Sequence, residues 1–189
     1  MSIQRALPAV LSIVSLTVAA PISPSHAATT SCAELYARHV RDDLAFPYEL
    51  FDQTENNGFR VLAKAGCDKE AADLIEAYIG ANHAGDSSLR WHVAQLKASA
   101  GQTAEAIRYA QSVLVEHEDG AKNALRWNDY VLATIAFLEH DMAALKMHRD
   151  RVASAGDGFF GNVLNLKLLD SLIEHFDRDY KYASTHIRR

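Results

Sequence analysis

The sequence predicts an all-α fold in which antiparallel helical hairpins stack as a short, TPR-like α-solenoid of about eight helices. Apolar residues recur with helical spacing along almost the whole chain, and no alternating run indicates a strand. The Leu-Arg-Trp motif at residues 89–91 recurs at residues 125–127, and Gly66 has a counterpart in Gly101. Because both recurrences span about one helical hairpin, they favour a stack of similar units.

The first 27 residues have the layout of a cleaved signal peptide. Arg5 supplies a positive start, residues 6–20 form an apolar run, and two prolines follow. The small residues around Ala27 and Ala28 fit a cleavage site between these two positions. The apolar run is short for a membrane span, so we expect residues 1–27 to be removed. The expected location is the periplasm, with full secretion as the alternative.

The composition is that of a soluble globular protein, with 49% apolar and 23% charged residues. The formal net charge of -5 gives no electrostatic reason to expect binding to nucleic acid or anionic membranes. The length remaining after cleavage suits one domain, which we place at residues 28–177. A polar C-terminal tail at residues 178–189 is expected to fray.

Local signals support the first four helices. Residues 31–34 form a capping box that starts the first helix, and Pro47 redirects the chain after it. Gly66 ends the second helix, Asp68 can cap the third, and Gly101 breaks the fourth. The eight predicted helices cover residues 31–44, 48–65, 68–79, 88–100, 103–115, 121–138, 142–152 and 162–176.

The later helices are separated by polar or glycine-rich breaks at residues 116–120, 139–140 and 154–161. The last break matches the pattern GxGxxG, but a helix precedes it where a dinucleotide-binding loop needs a strand. We therefore predict a helix connection, with Phe159 and Phe160 packed into the core. The eighth helix is strongly apolar and is predicted to cap the stack or to form a dimerisation surface.

Cys32 and Cys67 are the two cysteines of the chain. In an exported protein such a pair predicts one disulfide, which would tie the first helix to the second hairpin. A redox or metal role is disfavoured because the chain has no CxxC motif. The histidines lack metal-ligand spacing, and nucleophile signatures are missing. We therefore predict no catalytic residue, no metal and no cofactor.

Residues 50–153 resemble tetratricopeptide-type helical hairpins. Gly101 and Ala106 fit the pattern of this family, and Ala94 stands at the small position of its first helix. The full Trp–Leu–Gly–Tyr series and the closing proline of the family are missing. The resemblance implies a curved, polar-lined face of the kind that binds peptides or proteins.

Three further segments, residues 52–56, 127–130 and 165–176, are similar to a set of small exported bacterial proteins without an assigned activity. This resemblance implies export and implies no particular activity.

Together these observations predict a protein-binding adaptor or scaffold in the cell envelope, without catalytic activity. Trp, Tyr and Arg dominate binding hot spots, and we assign the tryptophans to the core. Arg90, Arg126 and Tyr130 are the candidates for exposed contacts with a partner protein, a peptide or a second copy of the chain. Two alternatives stay open: an immunity protein against a periplasm-delivered toxin, and a small cell-wall hydrolase. The sequence does not single out the carboxylates of such a hydrolase, and the pairs present include Asp42 with Asp43 and Asp52 with Glu55.

Overall fold

A computed structural model describes residues 31–118, 125–156 and 158–188, so the predicted cleavage site at Ala27 and Ala28 lies outside the described residues. Every regular element in the described part is a helix, which confirms the all-α prediction. None of these helices has the length and apolar character needed to cross a membrane. They are α1 (Cys32–Asp42), α2 (Tyr48–Asp52), α3 (Phe59–Lys64), α4 (Asp68–Asn82), α5 (Ser87–Ser99), α6 (Thr103–Gln111), α7 (Trp127–Leu138), α8 (Met142–Ser154), α9 (Phe160–Glu174) and α10 (Tyr180–Thr185).

The predicted second helix, residues 48–65, is wrong, because the chain forms α2 and α3 with a turn between them. Gly58 ends this turn with φ +54°, and a Cβ there would lie 2.1 Å from the carbonyl oxygen of Phe51. Only glycine fits such a close approach in a left-handed conformation. Arg60 Nε also donates to the carbonyl oxygen of Asp52 at 2.5 Å and so caps the end of α2.

The expectation of a frayed tail at residues 178–189 is also wrong for the part that forms α10. The Asp179 side chain caps α10 by accepting from the backbone N–H of Tyr182. Tyr180 and Ala183 are buried, and α10 packs against α9 and α5. The tail looked polar because only two inward positions of α10 are apolar.

Two apolar clusters form the interior, and α5 contributes buried residues to both. The N-terminal core consists of Phe51, Phe59, Leu62, Cys67, Ala71, Ala72, Leu74, Ile75, Tyr78, Leu89 and Val93. The C-terminal core consists of Trp91, Ala94, Ala98, Ala106, Ala110, Val113, Tyr130, Val131, Ala133, Ile135, Ala136, Phe137, Leu145, Val152, Leu169, Leu172, Tyr180 and Ala183. The α5 helix is therefore the seam between two halves of the molecule.

The predicted disulfide is confirmed, since Cys32 and Cys67 are bonded with their Cα atoms 5.4 Å apart. Cys32 opens α1 and Cys67 directly precedes α4. The predicted capping box is present too, with Ser31 and Glu34 bonding each other's backbone N–H groups. Because α1 has no buried residue of its own, the disulfide is a main anchor of this helix.

The prediction that Phe159 and Phe160 fill the core is wrong. Phe160 is 72% exposed, and Phe159 is exposed as well. The inward position at the start of α9 is taken by Asn162, whose Oδ1 accepts from the backbone N–H of Arg126 at 2.9 Å. The first turn of α9 is thus fixed by a polar contact, which leaves its aromatic side chains at the surface.

Candidate functional site

A cleft of about 330 Å³ runs along α5, with α3 on one side and α9 and α10 on the other. His92, Leu96 and Ser99 recur at helical spacing, so they form one face of α5 along its floor. The cleft lies where the two cores meet. Its lining residues are Phe59, Arg60, Ala63, His92, Gln95, Leu96, Ser99, Leu168, Tyr180, Ser184 and Ile187.

The α10 helix supplies one wall of the cleft. Tyr180 and Ser184 lie one turn apart on this helix and both line the cleft. Two contacts hold α10 in place: Ser171 Oγ donates to the carbonyl oxygen of Ala183 at 2.7 Å, and Lys181 Nζ lies 2.5 Å from Asp68 Oδ2. The wall therefore depends on one contact with the preceding helix and one with the start of α4, 113 residues away in the sequence.

A fully buried carboxylate, that of Asp52, lies behind the polar end of the cleft. Its Oδ1 atom is 3.2 Å from His92 Nε2 and 3.3 Å from Arg60 Nη2. The Gln53 side-chain amide donates to the other carboxylate oxygen. A buried carboxylate with several donors is a strong orienting group, so it fixes both His92 and Arg60.

Burial alone raises the pKa of Asp52, but the partners of the carboxylate outweigh burial. Hydrogen bonds from His92, Tyr48 and Gln53, together with the charge of His92, bring the pKa below its ordinary value. The carboxylate is therefore ionised at neutral pH. Because an ionised carboxylate only accepts hydrogen bonds, His92 Nε2 is the donor in its contact with Asp52.

His92 and Arg60 both line the cleft, and each has one more nitrogen besides those that contact Asp52. Arg60 uses Nε and Nη2 on Asp52, while its Nη1 has no hydrogen bond to the described residues. Within the same part of the chain, His92 Nδ1 has none either. The side chains of Arg60 and His92 are 34% and 26% exposed, so a ligand in the cleft can contact them.

The charge of the cleft differs from that of the whole chain. The sequence has 24 acidic and 19 basic residues, yet no Asp or Glu is among the described residues that line the cleft. Arg60 and His92 are its ionisable groups besides Tyr180. The cleft can therefore accept an anionic group without facing an exposed carboxylate.

The geometry does not suit Asp52 for the acid role considered in the sequence analysis. A general acid of a glycosidase needs a raised pKa and contact with the substrate. The pKa of Asp52 is lowered and its side chain is fully buried. Glu55, the carboxylate considered with it, is exposed. Asp52 acts on its neighbours in the cleft and not on a substrate.

The three predicted contact residues do not form one surface. Tyr130 is only 5% exposed, so the prediction that it lies at the surface is wrong. Its ring packs against Trp91 at 5.3 Å and Trp127 at 5.9 Å, and burial raises its pKa. A tyrosine one turn from a tryptophan fits a core as well as a surface, and the sequence does not separate the two.

Arg90 and Arg126 are half-buried, and neither lines the cleft. Arg90 Nη1 donates to the carbonyl oxygen of Gly85 at 2.7 Å, which ties the start of α5 to the preceding turn. Arg126 stands at the N-cap of α7. Their recurrence in the sequence therefore does not mark equivalent positions, since Arg90 lies inside the first turn region of α5 and Arg126 precedes α7. Whether they contact a partner stays a prediction.

The cleft itself was not predicted from the sequence. The polar residues of α5 gave a weak signal, because His92 and Ser99 fall on one helical face. Arg60 and Ser184 come from segments on either side of α5 in the sequence, and only the packing of α3 and α10 brings them together.

Other motifs found in the sequence have structural partners. His148 Nδ1 lies 2.8 Å from Asp129 Oδ1, and Arg151 is 3.5 Å from the same oxygen, so this cluster links α7 to α8. Across the described residues, no group of three or more His, Cys, Asp or Glu side chains could hold a metal ion.

Comparison with known proteins gives no assignment: no protein-family model, curated protein or solved structure matches this chain.

Proposed function

We propose that this chain is an exported, TPR-like binding module that holds a segment of another protein in the cleft along α5 and performs no chemistry of its own. The observation that carries the proposal is the cleft, in which apolar side chains and hydrogen-bonding groups line the same 330 Å³. Pockets that bind small ligands or side chains start at about this volume and combine both kinds of lining.

The lining suits a polypeptide segment. Leu96, Leu168 and Ile187 can cover an apolar side chain, and the Ser99 hydroxyl can pair with a backbone N–H or C=O group. Peptide recognition generally needs both, because an unpaired backbone group in a dry cleft costs about 1–3 kcal/mol.

Two further features support the remaining parts of the proposal. Each helix from α3 to α9 packs against the next helix along the chain, as expected for stacked hairpins. The Cys32–Cys67 disulfide suits an oxidising compartment such as the periplasm.

Site-specific photo-crosslinking in the native cell envelope tests the proposal. A photoreactive residue is placed at Ser99, which lines the cleft, and a matched one at Ser87, which is exposed at the other end of α5. We expect one protein to be captured from position 99 and not from position 87. Equal capture from both positions, or no capture from position 99 in a well-expressed protein, would overturn the proposal.

The identity of the captured protein separates the adaptor from the immunity protein, because only the latter should capture a toxin. The hydrolase alternative gains no support from Asp52, whose pKa shift is opposite to that of a general acid.

A further inference from the structure

We infer that the cleft along α5 binds the free C-terminal end of a polypeptide whose last side chain is apolar. The inference rests on the proposed function and names the class of segment that the cleft accepts. It depends on three features of the cleft: its charge, the fixed orientation of Arg60, and the position of its apolar lining.

The charge of the lining favours an anionic group. Although the chain is acidic, the described lining residues of this cleft include Arg60 and His92 and no Asp or Glu. The nearby Glu55 lines the adjoining pocket on the other side of Phe59 and Arg60. The nearest carboxylate, that of Asp52, is fully buried and already bonded to Arg60 and His92.

The orientation of Arg60 favours a carboxylate as that anion. Its Nε and Nη2 atoms are used on Asp52, and the guanidinium lies 4.9 Å from the centre of the Phe59 ring. The plane of the group is therefore fixed before a ligand arrives. Nη1 of Arg60 can donate to one oxygen of a ligand carboxylate.

The apolar lining favours a chain end over an internal acidic residue. A C-terminal residue carries its carboxylate and its side chain on the same carbon atom, so both fit within one small cleft. Leu96, Leu168 and Ile187 lie in the same 330 Å³ as Arg60 and His92. Capture of a terminal carboxylate is an established mode of peptide recognition, and here the neighbouring apolar groups would select the last side chain.

The test compares short peptides that differ at their ends. The oxidised full-length mature protein is titrated with acetyl-Ala-Ala-Leu as the free acid, with the same peptide as the C-terminal amide, with acetyl-Ala-Ala-Ser as the free acid, and with acetate. Backbone resonances of His92, Leu96 and Ser99 are followed by NMR. We expect the first peptide to shift them and the other three probes to bind at least ten-fold more weakly.

Each other outcome overturns the inference in a defined way. Equal binding of the acid and the amide would show that the carboxylate is not recognised. Peptide binding in the cleft, and therefore the proposed function, would still hold. Binding of acetate or of the serine peptide as tight as that of the leucine peptide would show that the apolar lining does not select the last side chain. If none of the peptides shifts these resonances, the C-terminal inference fails, and crosslinking at Ser99 separately decides the proposed function.

Two variants locate the binding. Ser99→Trp fills the cleft without touching Asp52, and we expect it to weaken the leucine peptide at least ten-fold. Ser87→Trp makes the same change at the exposed end of α5 and is expected to bind as the wild type does. Arg60→Gln should weaken binding of the free-acid leucine peptide at least ten-fold and leave binding of its C-terminal amide unchanged. If Ser99→Trp binds normally, the cleft is not the site.

Discussion

The two halves of the molecule are stabilised in different ways. In the N-terminal half, α2 and α3 have five and six residues, and the apolar side chains of α1 are only partly buried. This half contains the disulfide and the buried charged residues Asp43, Asp52 and Lys97. In the C-terminal half, three helices of 12 to 15 residues contribute much of the larger core, together with the shorter α6 and α10. The buried polar residues described there are the uncharged Thr134, Asn162 and Ser171.

The difference follows from helix length. A helix of one or two turns buries little apolar surface and is marginal by itself, so its position has to be fixed by other contacts. In the N-terminal half these contacts are covalent, ionic and steric. Longer helices bury enough surface to dock by apolar packing alone. Four predictions test this comparison, from the largest expected effect to the smallest.

Removal of the disulfide should have the largest effect. The double variant Cys32→Ala, Cys67→Ala is expected to lose about 4 kcal/mol of unfolding free energy, because the bond closes a long loop in the unfolded chain. Urea unfolding of both proteins measures the loss. Hydrogen exchange should show α1 opening first, and uniform opening of both halves would contradict the comparison.

The Gly58→Ala change should cost more than about 3 kcal/mol, because the new Cβ would overlap the carbonyl oxygen of Phe51. Gly66→Ala is the matched control. Gly66 also has a positive φ, +81°, but no atom lies within 4 Å of the position of a Cβ there. The control should therefore lose only about 1–2 kcal/mol. Equal losses in thermal unfolding would show that the contact with Phe51 does not matter.

The Asp52→Asn change should cost about 2 kcal/mol at pH 7, because hydrogen bonds to a charged group become neutral ones. It should also alter the acid response. Because the folded-state pKa of Asp52 lies below the ordinary value of 3.8, its stabilising effect is present above that value and lost as the pH falls below it.

The variant should consequently lose less stability than the wild type between pH 4 and the acid limit of folding. Asp73 also has a lowered pKa, since its hydrogen bonds and charge contacts with Lys69 and Lys97 outweigh its burial. It titrates in both proteins, so the difference between their unfolding curves isolates Asp52. Parallel curves would show that Asp52 is not linked to acid unfolding.

The smallest effect is expected at Phe160. This side chain is 72% exposed in the half that is held by apolar packing, so Phe160→Ser should change the unfolding free energy by less than about 0.5 kcal/mol. Leu172→Ala in the buried part of the adjoining α9 is the contrast and should cost about 2–5 kcal/mol. A large loss at Phe160 in urea unfolding would mean that this aromatic ring has a packing role.

Helical periodicity and local caps were enough to predict the all-α class and the start of α1, and the cysteine count with the predicted export was enough to predict the disulfide. The split of residues 48–65 into α2 and α3 was not predicted, because it depends on a close approach of Gly58 to the backbone of Phe51. This contact forms only when the chain folds. The α10 helix was not predicted, because its sequence is polar apart from the side that packs against α5 and α9.

The candidate site was harder to predict than the fold. A buried carboxylate such as Asp52 looks like any surface acid in a sequence, and its burial results from the packing of α2 against its neighbours. Tyr130 shows the converse, since a residue type common in interfaces is used here as core. Local patterns predict helices, whereas clefts between helices depend on contacts that no local pattern contains.

The ion pair between Lys181 and Asp68 has a kinetic consequence. Contacts within each half are mostly between helices that are neighbours in the chain, and such contacts form rapidly. The pair joins positions 113 residues apart in the sequence. Docking of α10 against Asp68 therefore closes a much longer loop than the contacts between neighbouring helices do. The wall of the cleft should therefore be completed late in refolding. We expect a refolding chain to regain nearly all of its helical signal milliseconds or more before it regains the ability to bind a ligand in the cleft.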